Sequence, residues 1–183
     1  MESKFKIEAS AASLQNRADW LKSPIESPTE KHLFAYGAVS FLVPRDRTFS
    51  RMTSEALRSW FMPPILLGQY AIFSVEGAPR AFLAWACLSD EVSAAFTEDP
   101  YRPPAPIDWL SGRHIWIMSL VSPYSKNITK SVRKEIECNT FADSISTWRL
   151  VKGGREVINY HRQKHNGPLK LSHRTPRVGG QNA

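Results

Sequence analysis

The sequence is poor in cysteine and contains no long apolar run. Its two cysteines, Cys87 and Cys138, supply neither a disulfide framework nor a metal site, and no charged-then-apolar leader opens the chain. A reduced, intracellular setting is therefore expected. The longest apolar stretches, residues 35–43 and 63–75, are cut short by charge, proline or glycine. Because a membrane-spanning helix needs roughly 18 apolar residues, no transmembrane segment is expected, although contact with a membrane surface stays open.

The sequence also lacks the motifs of several large enzyme classes. It has no phosphate-binding P-loop, no Rossmann glycine fingerprint, no nucleophile elbow and no zinc-protease motif. Gly153-Gly154 is isolated and predicts a turn. His161 and His165 are spaced for one helix face, but no third ligand accompanies them. Nucleotide hydrolysis, hydride transfer and zinc catalysis thus have no support, and neither a metal nor a resident cofactor is expected.

What the sequence does contain suits one domain with a basic end. At 183 residues and 42% hydrophobic composition, the chain is long enough to bury one core. The net charge is +7, and from Arg155 onward six Lys/Arg residues face a single acid, Glu156. Such an end can attract an acidic protein, a phosphate-bearing carrier, anionic lipid or nucleic acid, and it is equally consistent with a solvated tail.

Helical patterns follow a polar N-terminal segment. We expect residues 1–28 to be flexible, with a short helix at 11–21. Four further helices are predicted over residues 29–42, 53–61, 89–96 and 127–137. Thr29 is the expected N-cap of the first of these. Pro63-Pro64 is expected to end the second, because proline lacks the N–H that a helix interior requires.

Alternating apolar patterns predict a sheet. Residues 69–75 and 80–86 flank a short Gly/Pro turn, which is typical of a β-hairpin. Further strands are predicted at residues 115–121, 144–151 and 156–162. Within the third strand, simple alternation predicts two faces: Trp116, Met118 and Leu120 on one, and Ile115, Ile117, Ser119 and Val121 on the other.

The order of these elements is typical of a single α/β domain, a mixed sheet flanked by helices. We expect this domain to span residues 29–154. Residues 155–183 are expected to form a basic C-terminal extension.

Several aromatic and small-residue motifs stand in a characteristic order and spacing. They are Gly68-Gln69-Tyr70, Pro79, Trp85-Ala86 with Leu88-Ser89, Asp108-Trp109 with Ser111-Gly112, Trp116, and Ser122-Pro123-Tyr124. In this combination, over about residues 37–150, the chain resembles the toxin-activating lysine-acyltransferase family, which fatty-acylates RTX toxins. The resemblance implies a GNAT-like fold, an acyl group delivered on acyl carrier protein, transfer to a lysine of a protein partner such as an RTX-type toxin, a cytoplasmic location and a homodimer.

The chain departs from the family at the two catalytic positions. Members supply a histidine after the first helix and an aspartate on the strand that follows the Ser-Gly pair. Aligned without gaps, these positions fall on Phe49 and Ser119. A phenyl ring accepts no proton, and a serine hydroxyl carries no charge with which to hold an imidazolium.

Three other residues are weak candidates for the missing base. Asp46 lies in the same loop as Phe49, but an aspartate exposed on a loop is a poor base. His114 is expected on the strand face opposite Ser119, and His32 is expected to cap or pack on the first helix. For Ser119 we expect a hydroxyl bonded to backbone, and for Phe49 a core or pocket-lining aromatic.

A further set of residues is expected to bind the acyl group or a partner. They are Arg45, Arg47, Arg51, Gln69, Tyr70, Trp85, Trp109 and Trp116. The arginines suit the acidic surface of acyl carrier protein, or else form a solvated basic loop. The tryptophans suit the wall of an acyl channel or, more simply, the core.

Three functions stay open at this level. The favoured one is a non-catalytic or altered family member that binds acyl carrier protein or a protein partner. The second is a working protein-lysine acyltransferase that uses Asp46, His32 or His114 as its base. The third is a binder of nucleic acid or of a membrane surface through the basic end, although no nucleic-acid motif supports it.

Overall fold

A computed structural model describes residues 28–124, 126–139, 144–152, 154–162 and 169–175 of the chain. These residues form one six-stranded mixed sheet flanked by helices, so the predicted GNAT-like α/β class is confirmed. The short helix expected at residues 11–21 lies outside the described residues, as does nearly all of the expected N-terminal segment.

The described residues contain four α-helices, three of which begin at a hydroxyl side chain. The helices are α1 (Glu30–Leu42), α2 (Ser54–Leu67), α3 (Asp90–Glu98) and α4 (Lys126–Asn139). The side-chain oxygens of Thr29, Thr53 and Ser89 each accept the backbone N–H three residues later, a donor that no helical carbonyl reaches. Short 3₁₀ turns cover Val43–Arg45 and Pro106–Leu110.

Helix α2 shows that the predicted stop at Pro63-Pro64 is wrong. The helix continues to Leu67, with both prolines and Ile65 buried. Each proline removes one backbone hydrogen bond, but its fixed φ is itself helical. Burying this apolar turn against the core offsets the loss. The helix ends at Gly68, whose φ of 69° lies in the left-handed region that favours glycine.

Six strands follow one another across the sheet in chain order. They are β1 (Tyr70–Val75), β2 (Ala78–Leu88), β3 (His114–Val121), β4 (Ser144–Val151), β5 (Gly154–Arg162) and β6 (Leu169–Arg174). Neighbouring strands are antiparallel, except that β3 and β4 are parallel. Glu76 and Gly77, both with positive φ, form a two-residue turn between β1 and β2, which confirms the predicted hairpin.

The sheet extends further along the chain than the sequence predicts. Strands β5 and β6 continue it through residues that are expected to form a basic C-terminal extension. No sequence pattern predicts β6, because most of its side chains are exposed and it therefore lacks the apolar alternation of a half-buried strand.

The parallel junction between β3 and β4 is short. Three residue pairs connect the two strands, from Ile115↔Ile145 to Ile117↔Thr147. Next to the last pair, the indole N–H of Trp148 donates to the carbonyl of Met118 at 2.9 Å. A side-chain hydrogen bond therefore connects the two strands beyond the last pair of the ladder.

Helices cover both faces of the sheet. Helices α1, α2 and α3 pack on one face, in a cluster that includes Phe61, Phe82 and Trp116. Helix α4 packs on the other face through Val132 and Ile136. In the part of the chain that the structure describes, no helix combines the length and the apolar character needed to cross a bilayer.

A β-bulge corrects the predicted faces of β3. Met118 is an extra residue on β3, for which β2 has no counterpart. Beyond it the alternation reverses, so Ser119 and Val121 face the side of α1–α3, and Leu120 faces the side of α4. The predicted faces are wrong from residue 119 onward because alternation alone does not reveal a bulge.

Candidate functional site

Phe49 occupies the position at which the resemblance implies a catalytic histidine. It lies in the loop after α1, and only 5% of its surface is exposed. Its ring makes edge-on contacts with Phe61 of α2 and Trp148 of β4, at centroid distances of 5.9 and 6.0 Å. The position is therefore filled by a core aromatic ring.

Asp46 fixes the loop that carries Phe49. Its side chain is buried, so the expectation of an exposed aspartate is wrong. One carboxylate oxygen accepts the N–H of Thr48 at 2.8 Å, and the other accepts the N–H of Ser122 at 3.1 Å. Both oxygens thus bond to backbone donors and tie the loop to the chain just after β3.

Ser119, at the position implied for the catalytic aspartate, is also buried. It is 3% exposed and lies opposite Ala84, on the side of the sheet that carries the Phe49 cluster. Its hydroxyl oxygen has no hydrogen-bond partner among the described residues, so the expected bond to backbone is absent there. The side chain brings no charge to the site.

A histidine–carboxylate pair exists at the opposite end of β3. His114 Nε2 lies 2.6 Å from Asp90 Oδ1 at the start of α3, and both side chains are exposed. Because of the bulge, His114 and Ser119 share one side of the sheet, so the predicted opposition of faces is wrong. Five residues of strand, about 16 Å, separate them instead. His114 is therefore not a partner of the Ser119 position.

His32 lies on α1, beside a cleft between α1 and α2. Its backbone N–H donates to the N-cap oxygen of Thr29 at 3.3 Å. Its ring nitrogen Nδ1 is buried and has no partner among the described residues. The three candidate bases thus lie in three different surroundings: a backbone-bonded loop, an exposed hydrogen-bonded pair and a helix–helix cleft.

Of the arginines around the loop, Arg45 contacts the end of the preceding helix, α1. Its guanidinium donates to the Phe41 carbonyl at 2.6 Å and lies 4.1 Å from the centre of the Phe41 ring, which covers the C-terminal end of α1. Arg47 and Arg51 are exposed on the loop. Two positive charges therefore project to solvent near Phe49.

Gln69 and Tyr70 make hydrogen-bond and ring contacts that support the sheet. Gln69 is buried and donates to the Trp109 carbonyl at 3.4 Å. Tyr70 stacks on Phe82 with a centroid distance of 5.6 Å, and the Lys31 ammonium lies 5.9 Å from its ring. Burial raises the pKa of the Tyr70 hydroxyl.

The three tryptophans of the binding set lie on two sides of the sheet. Trp109 and Trp116 belong to the side of α1–α3, and their indole N–H groups donate to the Pro104 carbonyl at 3.2 Å and to the Ser93 hydroxyl at 2.9 Å. Trp85 packs on the side of α4. Because the sheet separates them, the three do not form one channel wall.

Arg155 joins the site, although no sequence motif marks it. Its guanidinium carbon lies 4.1, 4.3 and 5.4 Å from the ring centres of Trp148, Tyr101 and Trp60, and the group donates to the Pro100 carbonyl. The side chain is thus enclosed by three aromatic rings, one of which, Trp148, also contacts Phe49.

The surroundings of Arg155 shift the pKa of its guanidinium. Burial lowers the pKa of its guanidinium to about 10, against the opposing effects of Tyr101 and Asp99. The feature that connects Arg155 with the site is the β4–β5 register, because Arg155 lies diagonally across from Trp148 in that hairpin. The sequence analysis groups Arg155 with the basic C-terminal residues, and this grouping does not reveal its position beside Trp148.

Comparison with known proteins assigns the chain to a family. The profile of the RTX toxin acyltransferase family matches residues 28–164, about three quarters of the chain. The chain belongs to this family. Two curated relatives are the protein-lysine palmitoyltransferases CyaC of Bordetella bronchiseptica and Bordetella parapertussis, each 24% identical over 94 residues, 51% of this chain and 50% of the relative. The chain spans about half the length of the curated relatives it matches.

In this member of the RTX toxin acyltransferase family, the two implied catalytic positions carry no titratable side chain. They hold a buried phenyl ring and a hydroxyl that has no hydrogen-bond partner among the described residues. The nearby carboxylate bonds to backbone, and the nearby cation is enclosed by aromatic rings. Over the described ranges, no group of three or more metal-ligating side chains occurs.

Proposed function

We propose that this chain is a non-catalytic or altered member of the RTX toxin acyltransferase family, which binds acyl carrier protein or a protein partner on an acyltransferase scaffold. The observation that carries the proposal is the packing of Phe49 between Phe61 and Trp148. The ring fills the space in which the family's histidine would act.

The proposal follows from the proton that acyl transfer must move. A lysine amine has a pKa of about 10.4, so it is protonated at neutral pH and has no free electron pair with which to attack a thioester. A base must remove that proton, and a charged partner orients and stabilises the base. Phe49 and Ser119 provide neither function.

Asp46 is a poor substitute for the missing base. Its two oxygens already accept the N–H groups of Thr48 and Ser122. Protonating the carboxylate would weaken two charge-assisted hydrogen bonds that hold the loop. The geometry therefore favours a structural role for Asp46.

The partners in this proposal are those that the family implies. Arg47 and Arg51 supply exposed positive charge for the acidic surface of acyl carrier protein. The protein partner would be a lysine-bearing chain of the RTX-toxin type. The proposal includes a cytoplasmic location and a homodimer.

An acylation assay with the full chain tests the lack of turnover. The protein is incubated with palmitoyl-loaded acyl carrier protein and a lysine-bearing RTX-type fragment, and acyl-lysine is measured by mass spectrometry. We expect no acyl-lysine above the level found without the protein. Turnover by the unmodified chain would overturn the proposal.

Binding to acyl carrier protein is measured separately by titration. The Arg47→Glu/Arg51→Glu variant is expected to bind at least tenfold more weakly, because two favourable charges become repulsive. Arg102→Glu, at an exposed arginine in the proline-rich loop, is the matched control and should bind as the unmodified chain does. Equal affinities of all three proteins would exclude the loop as the docking surface.

A second candidate function rests on the His114–Asp90 pair. A carboxylate at 2.6 Å can orient an imidazole, as a catalytic base requires. In that case the chain would be a working protein-lysine acyltransferase with a displaced base. His114→Ala and Asp90→Asn would then abolish acyl-lysine formation, whereas His173→Ala, at an exposed histidine on β6, would not.

A further inference from the structure

The cleft between α1 and α2 lies at the point where the described chain begins. Its volume is about 310 Å³, and Pro28, the first described residue, is part of its lining. The rest of the lining is mostly apolar and includes Leu33 of α1 and Met62 and Leu66 of α2. Residues 1–27 therefore connect to the described fold at the rim of an apolar cleft.

Two features of the cleft favour an occupant made of peptide. Leu33 is 58% exposed although it lines the cleft, so apolar surface there remains in contact with water. The ring nitrogen Nδ1 of His32 is buried and has no hydrogen-bond partner among the described residues, which is unfavourable. A peptide segment answers both needs, because it carries apolar side chains beside the hydrogen-bonding groups of its backbone.

The segment that precedes the cleft in the chain carries large apolar side chains within reach of it. Trp20, Leu21 and Ile25 all lie within eight residues of Pro28. Fully extended, eight residues span at most about 29 Å. The lining on α2 covers residues 58–66, which is about 12 Å of helix. Any of the three side chains can therefore reach any part of the cleft.

The family match does not include this segment. The RTX toxin acyltransferase profile begins at residue 28, where the described fold also begins. Residues 1–27 lie outside the matched part of the chain, so the match does not account for their apolar side chains.

We propose that residues 20–27 fold back onto this cleft of the same chain and that Trp20 fills it. The indole covers Leu33, and a backbone group of the segment bonds to His32 Nδ1. The segment is then an internal occupant, which any other ligand of the cleft must displace. This inference goes beyond the proposed function, because a chain with or without acyl-transfer activity can hold its own segment in this way.

Photo-crosslinking in the full chain tests where position 20 lies. A photoreactive benzoylphenylalanine replaces Trp20, and mass spectrometry identifies the crosslinked peptides. We expect crosslinks to residues 32–36 and 58–66, the two parts of the lining. The same exchange at Phe5 is the matched control and should show no preference for these ranges.

A mixture of isotope-labelled and unlabelled protein separates the two possible sources of the segment. Crosslinks within one copy support the proposal. Crosslinks between labelled and unlabelled copies would overturn it, because the occupant of the cleft would then be a second copy of the chain.

Limited digestion with trypsin measures how often the segment leaves the cleft. Trypsin cleaves after lysine, and the segment contains Lys22 beside Trp20 and Lys6 far from it. Cleavage after Lys22 should be about tenfold slower than cleavage after Lys6, because the docked part must open first. Trp20→Ala should raise the rate after Lys22 by about tenfold and leave the rate after Lys6 unchanged.

Two substitutions on α1 test the cleft itself without altering the cleaved segment. Leu33→Glu places a charge in the lining, whereas Phe34→Glu places the same charge at a neighbouring position outside the described lining. The two side chains are 58% and 57% exposed, so neither exchange threatens the fold, which circular dichroism checks. Leu33→Glu should raise the rate of cleavage after Lys22 by about tenfold, and Phe34→Glu should leave it unchanged.

Three further results would also overturn the assignment. They are crosslinks from position 20 that avoid both parts of the lining, equal rates of cleavage after Lys22 and Lys6 in the unmodified chain, and equal rates after Lys22 in Leu33→Glu and Phe34→Glu. None of these would affect the proposed lack of turnover, which the acylation assay decides separately.

Discussion

Replacing Phe49 with histidine measures whether the implied catalytic position is core or a polar pocket. Phe49 is 5% exposed and touches two further aromatic rings. The substitution loses most of the about 1.5–3 kcal/mol that burial of a phenylalanine side chain contributes. It also buries imidazole nitrogens without partners, at about 1–3 kcal/mol. We therefore expect Phe49→His to lower the free energy of unfolding by about 3–5 kcal/mol.

Urea unfolding followed by tryptophan fluorescence gives this free energy, provided that the transition is two-state. Phe34→His is the matched control, because Phe34 is 57% exposed on α1 and the same exchange should change stability by about 0.5 kcal/mol or less. A loss below about 1 kcal/mol for Phe49→His would show that position 49 offers room and polar partners. That result would refute the core interpretation and weaken the proposal of a non-catalytic member.

Three further predictions concern the same framework. Asp46→Ala removes an acceptor of two backbone N–H groups and should cost about 3 kcal/mol in urea unfolding, whereas Asp46→Asn, which keeps one acceptor oxygen, should cost clearly less. Gly112→Ala places a methyl group 2.5 Å from the Cα of Ser89 and should lower the free energy of unfolding by about 3 kcal/mol. Gly37→Ala, with nothing within 4 Å of the added methyl group, should raise the free energy of unfolding by up to about 1 kcal/mol. The opposite order of the two variants would contradict the packing. The pKa of the Arg155 guanidinium is about 10 in the folded chain and higher in the unfolded chain. The free energy of unfolding of the unmodified chain, relative to that of Arg155→Met, should therefore rise between pH 9 and 11. A difference that stays constant with pH would show that Arg155 is not desolvated.

Elements that depend on local sequence are the ones that the sequence predicts well. The N-caps at Thr29 and Ser89 and the hairpin turn at Glu76-Gly77 each involve residues within a few positions of one another. Their hydrogen bonds and φ angles follow from the residue types present. Prediction fails at Pro63-Pro64, where burial of the surrounding turn decides the outcome against local preference.

The candidate site is harder to predict because its contacts join distant parts of the chain. Alignment alone locates Phe49 and Ser119. It does not reveal that Asp46 bonds to Ser122, 76 residues away. Nor does it reveal that a bulge at Met118 turns Ser119 toward the side of α1–α3, opposite to the predicted side. Arg155 is counted as solvated charge for the same reason, since only the β4–β5 register brings it to Trp148. Charge and composition state which groups exist, whereas tertiary pairing decides what each group contacts.

The short junction between β3 and β4 has a consequence for how the molecule opens. Strands β1–β3 and β4–β6 are two antiparallel meanders, each of which can assemble from contacts close in sequence. Along their shared edge they are joined by three parallel pairs, the Trp148 indole hydrogen bond and a hydrogen bond from the Thr147 hydroxyl to the Ile117 carbonyl. Local unfolding should therefore separate the meanders along this seam before either one frays. The amide protons that bond between β3 and β4, within residues 115–117 and 145–147, should exchange with solvent faster than those that bond between β2 and β3 or between β4 and β5. Phe49, Trp148 and Arg155 lie beside this seam, so a partner that binds there would hold the two halves of the protein together.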